Sequence, residues 1–519
     1  MNSTETLIPG WADRVAETLV ERFGGEPQVV VTGISPSGNI HVGNLREVLV
    51  AEAVARALRA RDVETRFIFH ADTIDPLRKI APGVPESFER YIGQSLSYVP
   101  DPEGCHESYA EHFLAPFERT LSEVGMEIEV LRSHELYEQG VYTEVTREAL
   151  DHTDDLRHIL QDVTGRMMPE GNKWSPYQPR DASGSLIGHR TIEHRSEENK
   201  VVFDNYDDNE EVADYSKGEG KLGWRVELAA RWKALGVTFE PFGKDHTSRG
   251  GSTDTADRMA EKVFGVEIPG RYEYEWIQLK GVGAMSSSKG VVLLPADMLR
   301  IMPSEALRRM VLGRDPARGL DVDLASGFPQ FMDEQRAELG GTGVPFTHLV
   351  TVSQTVGEDP EAAAEMLRRG GYEAAAREPD ALAEELAYAR EWAEEWAPEE
   401  YRFKVLESLP EEAESLDEDQ RRYLAEAADR IPAGITAGDE VQNILYGAAK
   451  ELGVKPKNAF AAIYTVLLGK KSGPKAGPFV ASLPPELVRE RFASAASASS
   501  AGYSGGTVKG DTESPGDTG

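Results

Sequence analysis

The 519-residue chain predicts an α/β fold: a doubly wound parallel sheet interrupted by an insertion domain, followed by an all-α C-terminal domain. Three observations predict it. A strand, a glycine turn, a helix and a second strand open the chain. That pattern breaks off near residue 100 and resumes after residue 222. Beyond residue 345 the strand signal nearly disappears.

Residues 11–23 read as an amphipathic helix. Val29–Thr32 is a β-branched run ending at Gly33, the mark of a strand followed by a turn. From Leu45 to Ala60 the apolar spacing is helical, and Thr65–His70 reads as the next strand. This is the opening of a Rossmann-type sheet, whose ligand crevice lies at the strand carboxyl ends. Residues 100–222 then carry helical stretches at 106–124 and 143–165, a Pro- and Gly-rich run and an acidic run, 197–219. The α/β pattern returns with a helix at 224–235, a strand at Val237–Pro241, a helix at 254–264 and a strand at Tyr274–Leu279. Helices rich in Ala, Glu, Leu and Arg follow at 359–370, 379–397, 417–430, 438–452 and 457–468. The expected domains are therefore residues 1–99 and 223–300 for the two halves of the sheet domain, with 100–222 as the insertion. Residues 301–345 are read as a connecting domain, 346–492 as the helical domain and 493–519 as a disordered Ser/Gly/Ala/Thr tail.

The bulk numbers exclude some classes. No window is apolar enough for a transmembrane helix, and the first residues lack a secretory pattern. Cys105 is the only cysteine, so no internal disulfide or cysteine zinc cluster is possible, and a reducing cytoplasm is expected. The net charge is −33, from 56 basic and 89 acidic residues spread along the whole chain. Taken alone, that argues against a polyanion partner. Adaptation to molar salt explains it better, since screening there removes the self-repulsion of a carboxylate-rich surface.

Two segments carry chemistry. Pro36-Ser37-Gly38-Asn39-Ile40-His41-Val42-Gly43-Asn44 links a strand to a helix. Its small residues let a nucleotide approach the backbone, and the helix N-terminus offers free N–H groups and positive dipole. His41 and Asn44, three apart, can project together and donate to a triphosphate. A plain capped turn is the competing reading. The second segment is Met285-Ser286-Ser287-Ser288-Lys289 on a glycine-flanked loop, where hydroxyls and one ammonium make a phosphate clamp or a simple flexible linker.

Together these segments resemble the class I aminoacyl-tRNA synthetases. His41-Val42-Gly43-Asn44 resembles their His-Ile-Gly-His signature, and Ala284-Met285-Ser286-Ser287-Ser288 their Lys-Met-Ser-Lys-Ser signature. The asparagine ending the first, the Met-Ser-Ser-Ser-Lys-Gly of the second, Asp75–Ile80, Lys221–Glu227 and Gly243–His246 look like the lysine-specific members. The resemblance spans about residues 10–485. It implies a ligase that activates L-lysine with ATP and magnesium, then transfers it to tRNA(Lys), with no obligate protein partner. It places ATP at Pro36, Ser37, Gly38, His41, Gly43, Asn44 and Met285 to Lys289, with His41, Asn44 and Lys289 catalytic. It places lysine at Gly33, Ser35, Trp224, Glu227, Asp245, His246 and Tyr272. The helical domain would read the anticodon, with Trp392, Trp396, Tyr401 and Phe403 as stacking candidates.

Two departures stand out. Ala284 and Ser287 replace the two signature lysines, leaving the clamp charge to Lys289. The insertion lacks the zinc-binding cysteines of many lysyl relatives, and His189 and His194 are too few for a site, so no structural zinc is expected. The residues themselves leave open a glutamate or arginine synthetase, a cofactor-adenylating nucleotidyltransferase, and a non-catalytic tRNA-binding paralogue.

Overall fold

The computed structural model describes residues 8–206, 209–281, 283–284, 293–432 and 437–498. They form two compact units, one ending at Leu324 and one beginning at Ala325.

In the first unit helix α1 (Gly10–Phe23) precedes strand β1 (Gln28–Ile34), helix α2 (Val42–Arg59) and strand β2 (Thr65–Ala71). The β-branched residues of β1 suit a pleated, doubly covered surface, and Val30, Val31 and Thr32 are fully buried. Helix α3 (Tyr109–Glu123) and strand β3 (Glu129–Arg132) follow, then helices α4 (Ser133–Glu138), α5 (Thr143–Asp151) and α6 (Thr153–Thr164). Strands β4 (Tyr177–Pro179), β5 (Arg190–Arg195), β6 (Lys200–Asp204), β7 (Glu211–Asp214) and β8 (Gly220–Leu222) come next. The chain then returns through α7 (Trp224–Leu235), β9 (Phe239–Gly243), α8 (Lys244–Thr247), α9 (Ser252–Met259) and β10 (Gly270–Tyr274). Strands β11 (Ile277–Leu279) and β12 (Gly283–Ala284), helices α10 (Pro295–Ile301) and α11 (Ser304–Leu312) and strand β13 (Leu320–Val322) complete the unit.

The main sheet has the order β10-β9-β1-β2-β3, and every pairing is parallel. The direction of winding reverses between β1 and β9, which opens a crevice beyond their carboxyl ends. Strand β3 lies within the stretch read as insertion, yet it forms the edge of this sheet. Its sequence, Glu-Val-Leu-Arg, is short and only half buried, so neither alternation nor an apolar run marks it. The insertion itself holds an antiparallel three-stranded sheet, β5-β6-β7, and a two-stranded pair, β4-β8. Its strands hide in a polar, acidic sequence because one face of so small a sheet stays in water.

The second unit is helical: α12 (Phe328–Leu339), α13 (Phe346–Val356), α14 (Pro360–Arg369), α15 (Pro379–Glu395), α16 (Glu418–Arg430), α17 (Gly438–Glu451), α18 (Pro456–Leu468), α19 (Ala476–Ser482) and α20 (Pro485–Ser497). Helices α14 to α18 lie where the periodicity places them. Asp359 caps α14 by accepting from the backbone N–H groups of Glu361 and Ala362, both at 3.0 Å, ahead of a proline in the first turn. Of the expected tail, residues up to Ser497 finish α20, and 499–519 lie outside the described residues.

Candidate active site

A cavity of about 720 Å³ opens in the crevice at the carboxyl ends of β1 and β9. The turn from Gly33 to Asn44 forms one wall, and Trp224, Gly243, Asp245 and His246 form the other. Helix α2 turns its N-terminus toward the space, bringing the positive end of its dipole. Asn44 Oδ1 accepts from the His41 backbone N–H at 3.2 Å, which fixes the first turn. His41 Nδ1 is buried without a partner, and burial holds its imidazole below the ordinary value, so the ring is neutral at pH 7. Gly33 is a close approach: a Cβ there would sit 3.2 Å from Arg231 Nη1 and 3.4 Å from the His70 carbonyl.

The floor is a network of carboxylates. Glu47, one turn beyond Asn44, accepts from Thr32 Oγ1 at 2.6 Å and from the Gly33 N–H at 3.0 Å. Its other oxygen accepts from the Tyr274 hydroxyl at 2.6 Å. Asp75 accepts from Ser35 Oγ at 2.7 Å, and Asp72 from Ser133 Oγ at 3.1 Å. Both aspartates meet the ammonium of Lys221, which also lies 2.7 Å from Glu227 Oε2. Lys221 and Glu227 are buried. Burial raises the Glu227 carboxyl and Lys221 opposes that rise. Burial also works against the Lys221 charge, but the three carboxylates outweigh it and hold the ammonium well above its usual value. With the Glu227 carboxyl pushed up to about 8 by burial, one cation faces the two aspartates at neutral pH, which leaves the floor acidic. On the opposite wall the Trp224 and His246 rings lie 6.2 Å apart, with His246 Nδ1 2.8 Å from Ser252 Oγ. The Arg231 guanidinium lies 5.7 Å from the centre of the Trp224 ring and is paired with buried Glu240.

Of the residues chosen from sequence, Gly33, Ser35, Ser37, Gly38, His41, Gly43, Asn44, Trp224, Asp245 and His246 line this cavity. Pro36 is buried behind the turn. Glu227 is not in the lining; it stands beneath, against Lys221. Tyr272 is turned to other work: its hydroxyl donates to Asp315 at 2.6 Å and its ring packs on Trp11 at 4.7 Å. It sits two residues, about 7 Å, back along β10 from Tyr274, too far from the strand ends where the crevice opens. Tyr274 takes the place by the cavity. Met285, Ser286, Ser287, Ser288 and Lys289 lie outside the described residues. The sequence reading missed Glu47, Asp72, Asp75, Arg78, Arg231 and Tyr274 in the lining and Lys221 beneath it. Glu47 had one signal: it follows Asn44 by three residues on the same helix face.

A second cluster spans the approach to α3 and its first turn. Asp101, Cys105, His106 and His112 bring one ligand atom each within 4.8 Å of one another. Cys105 Sγ is 3.0 Å from His106 Nδ1 and 3.5 Å from His112 Nδ1, and Asp101 Oδ1 is 3.1 Å from His112 Nδ1. The expectation of no metal weighed cysteine clusters and the histidines of 167–210 only, so it overlooked this mixed donor set.

A parallel sheet with its crevice at the β1/β9 reversal, entered by a helix whose first turn is His41-Val42-Gly43-Asn44, is the catalytic architecture of class I aminoacyl-tRNA synthetases. The family of class I tRNA synthetases (K) matches residues 9–338. A lysine–tRNA ligase of Archaeoglobus fulgidus is 39% identical over 500 residues, covering 93% of this chain and 99% of its own. One from Methanocaldococcus jannaschii is 35% identical over 535 residues, covering 93% and 99%. A solved glutamate–tRNA ligase from Elizabethkingia meningosepticum shares 14% identity at a TM-score of 0.46, covering 91% of this chain and 99% of that one. The chain belongs to the lysine family of class I tRNA synthetases.

Proposed function

We propose that this cavity activates L-lysine with ATP and passes the lysyl group to the 3′-terminal adenosine of tRNA(Lys). The observation that carries the amino-acid choice is the acidic floor: Asp72 and Asp75 line the cavity and share the one ammonium of Lys221, so a substrate bringing its own ammonium completes the charge. A glutamate pocket would need the opposite sign. The lysine stem lies against Trp224 and His246, with its side-chain ammonium toward Asp75 and Asp245. Its carboxylate oxygen forms a bond to the α-phosphorus of ATP, the α–β anhydride bond breaks, and pyrophosphate leaves. The α2 N-terminus, His41 and Asn44 stabilise the charge that develops, and the segment from Met285 to Lys289 supplies the remaining donors. Magnesium arrives with ATP. A ribose hydroxyl of the tRNA end then takes the acyl group, and AMP departs. The helical unit serves as the anticodon reader. Trp392 is buried against Phe328 and is excluded from that role, while Tyr401 and Phe403 line a cavity of about 580 Å³.

The test is charging of tRNA and ATP–pyrophosphate exchange, with and without tRNA, for each of the twenty amino acids. Lysine alone should be charged. Efficient charging with another amino acid, and none with lysine, refutes the reading.

The Asp101, Cys105, His106 and His112 set fits a structural zinc ion: one thiolate, two imidazoles and one carboxylate suit tetrahedral Zn²⁺. Metal analysis of the purified protein should find one equivalent of zinc, lost in Cys105→Ser. A metal-free wild-type protein rules the ion out.

A further inference from the structure

The first turn of α2 presents His41, Gly43 and Asn44 to the cavity. Another face of the same helix grips the chain on either side of the second signature. Val42 donates its backbone N–H to the Leu293 carbonyl at 2.9 Å. Arg46, one helical turn beyond Val42, lies on that same face and is buried. Its Nη1 donates to the carbonyl oxygens of Glu275 at 2.6 Å and Trp276 at 3.2 Å, and its Nη2 donates to that of Arg318 at 2.9 Å.

Those three carbonyls mark a joint between two sheets. Tyr274 ends β10 at the edge of the main sheet, and Ile277 begins β11 in the small sheet β12-β11-β13. Glu275 and Trp276 are the two residues between them, and Arg318 comes just before β13. At such a joint the regular ladders are interrupted, and the carbonyls need donors from elsewhere. One planar guanidinium supplies several in a rigid fork. The Trp276 carbonyl also accepts from the Leu320 N–H at 3.2 Å, so Arg46 reinforces the point where β11 meets β13. Trp276, with an exposed ring, and Ile277 line the cavity, and β11 and β12 lead on toward Met285.

Arg46 is a costly way to hold a joint. Its hydrogen bonds all go to neutral carbonyls, and its Nε is buried without a partner. No carboxylate pairs with it among the described residues. Burial pulls the guanidinium below its ordinary value, and Tyr274, Glu275 and Asp315 oppose that only in part. A buried cation held this way is a weak source of stability, so what it supplies is position.

We propose that Arg46 is a positioning residue for ATP: without touching substrate, it holds the Glu275–Trp276 joint against α2 and so aligns the nucleotide end of the cavity with His41 and Asn44. The proposal rests on the reading of ATP-dependent activation, which wild-type pyrophosphate exchange tests separately. The lysine end is built from other contacts, and the hydrogen bonds of Arg46 reach none of them.

Pyrophosphate exchange by full-length Arg46→Met and Arg46→Lys, with melting temperatures, tests it. Arg46→Met should lower kcat/KM for ATP by about 10- to 100-fold, the scale of a misplacement near 1 Å. The KM for ATP should carry much of that change, while the KM for lysine stays within about twofold. Arg46→Lys keeps the charge without the fork and should fall between Met and wild type. Equal rises in the two KM values mean a merely structural role and overturn the proposal. An unchanged KM for ATP overturns it too, as does a lysine variant no better than the methionine one. If Arg46→Met fails to fold, the split between the two KM values in Arg46→Lys decides the matter alone.

Discussion

Replacing Lys221 by methionine tests the buried charge network under the cavity. The Nζ atom lies 2.7 Å from Glu227 Oε2 and 3.3 Å from Asp72 Oδ1, and it also contacts Asp75. At an effective dielectric near 20, each such attraction is on the order of 5 kcal/mol, most of it offset by desolvation of both ions. Removing only the cation forfeits the attraction and keeps the desolvation, so a net loss of roughly 3–5 kcal/mol is expected at neutral pH. The pH dependence has a definite sign. Burial already raises the Glu227 carboxyl, and Lys221 opposes that rise; without Lys221 the carboxyl rises further. A carboxyl raised above its unfolded value contributes stability below the unfolded value and loses it as pH rises through the folded one. Because burial already pushes the Glu227 carboxyl up to about 8 in the intact protein, the extra impairment of the variant should grow as pH rises through 8, in urea melts from pH 5 to about 9.5. Adding Glu227→Gln should recover part of the loss above pH 8. A loss below about 1 kcal/mol at pH 7.5, or a deficit independent of pH, would refute the account of the floor as an ion cluster held by one lysine.

His41→Ala should slow lysine activation by roughly a hundredfold while leaving the melting temperature in place, the usual cost of one preorganised donor; near-normal exchange rates would remove the turn from the chemistry. In the helical unit, burial lowers the His348 imidazole to about 4, and its Nε2 has no partner. A group so depressed adds stability above its unfolded value near 6.5 and loses it as pH falls toward 4, at most about 3 kcal/mol. His348→Leu should flatten that part of the acid limb in calorimetry, and identical acid limbs would show that the ring titrates freely. At net charge −33, melting temperature and charging rate should both climb with potassium chloride to about 1 M, where the screening length falls from about 10 Å to about 3 Å. A maximum of both in dilute buffer would leave the acidic surface without a salt rationale.

Periodicity and turn chemistry carried much of the fold. The β-branched run of β1, the glycine turn and the long apolar stripe of α2 prefer their structures locally, and α14 to α18 follow from helical spacing and their caps. The turn from Gly33 to Asn44 was legible for the same reason, since every residue in it is close in sequence. Tertiary structure alone decided the rest. Strand β3 is too short and polar to announce itself, and it joins the sheet only because β2 offers an edge. Asp72, Asp75 and Lys221 were not picked out as site residues and Glu227 was expected to meet the substrate itself; only the meeting of β2, β8 and α7 makes the four one cluster. Tyr272 and Tyr274 look alike in sequence, but the distance of each from the end of β10 settles which one reaches the cavity. Local preference acts over a few residues and can be read from them. Charge networks and pocket walls depend on long-range contacts, whose strength comes from the burial that folding itself creates.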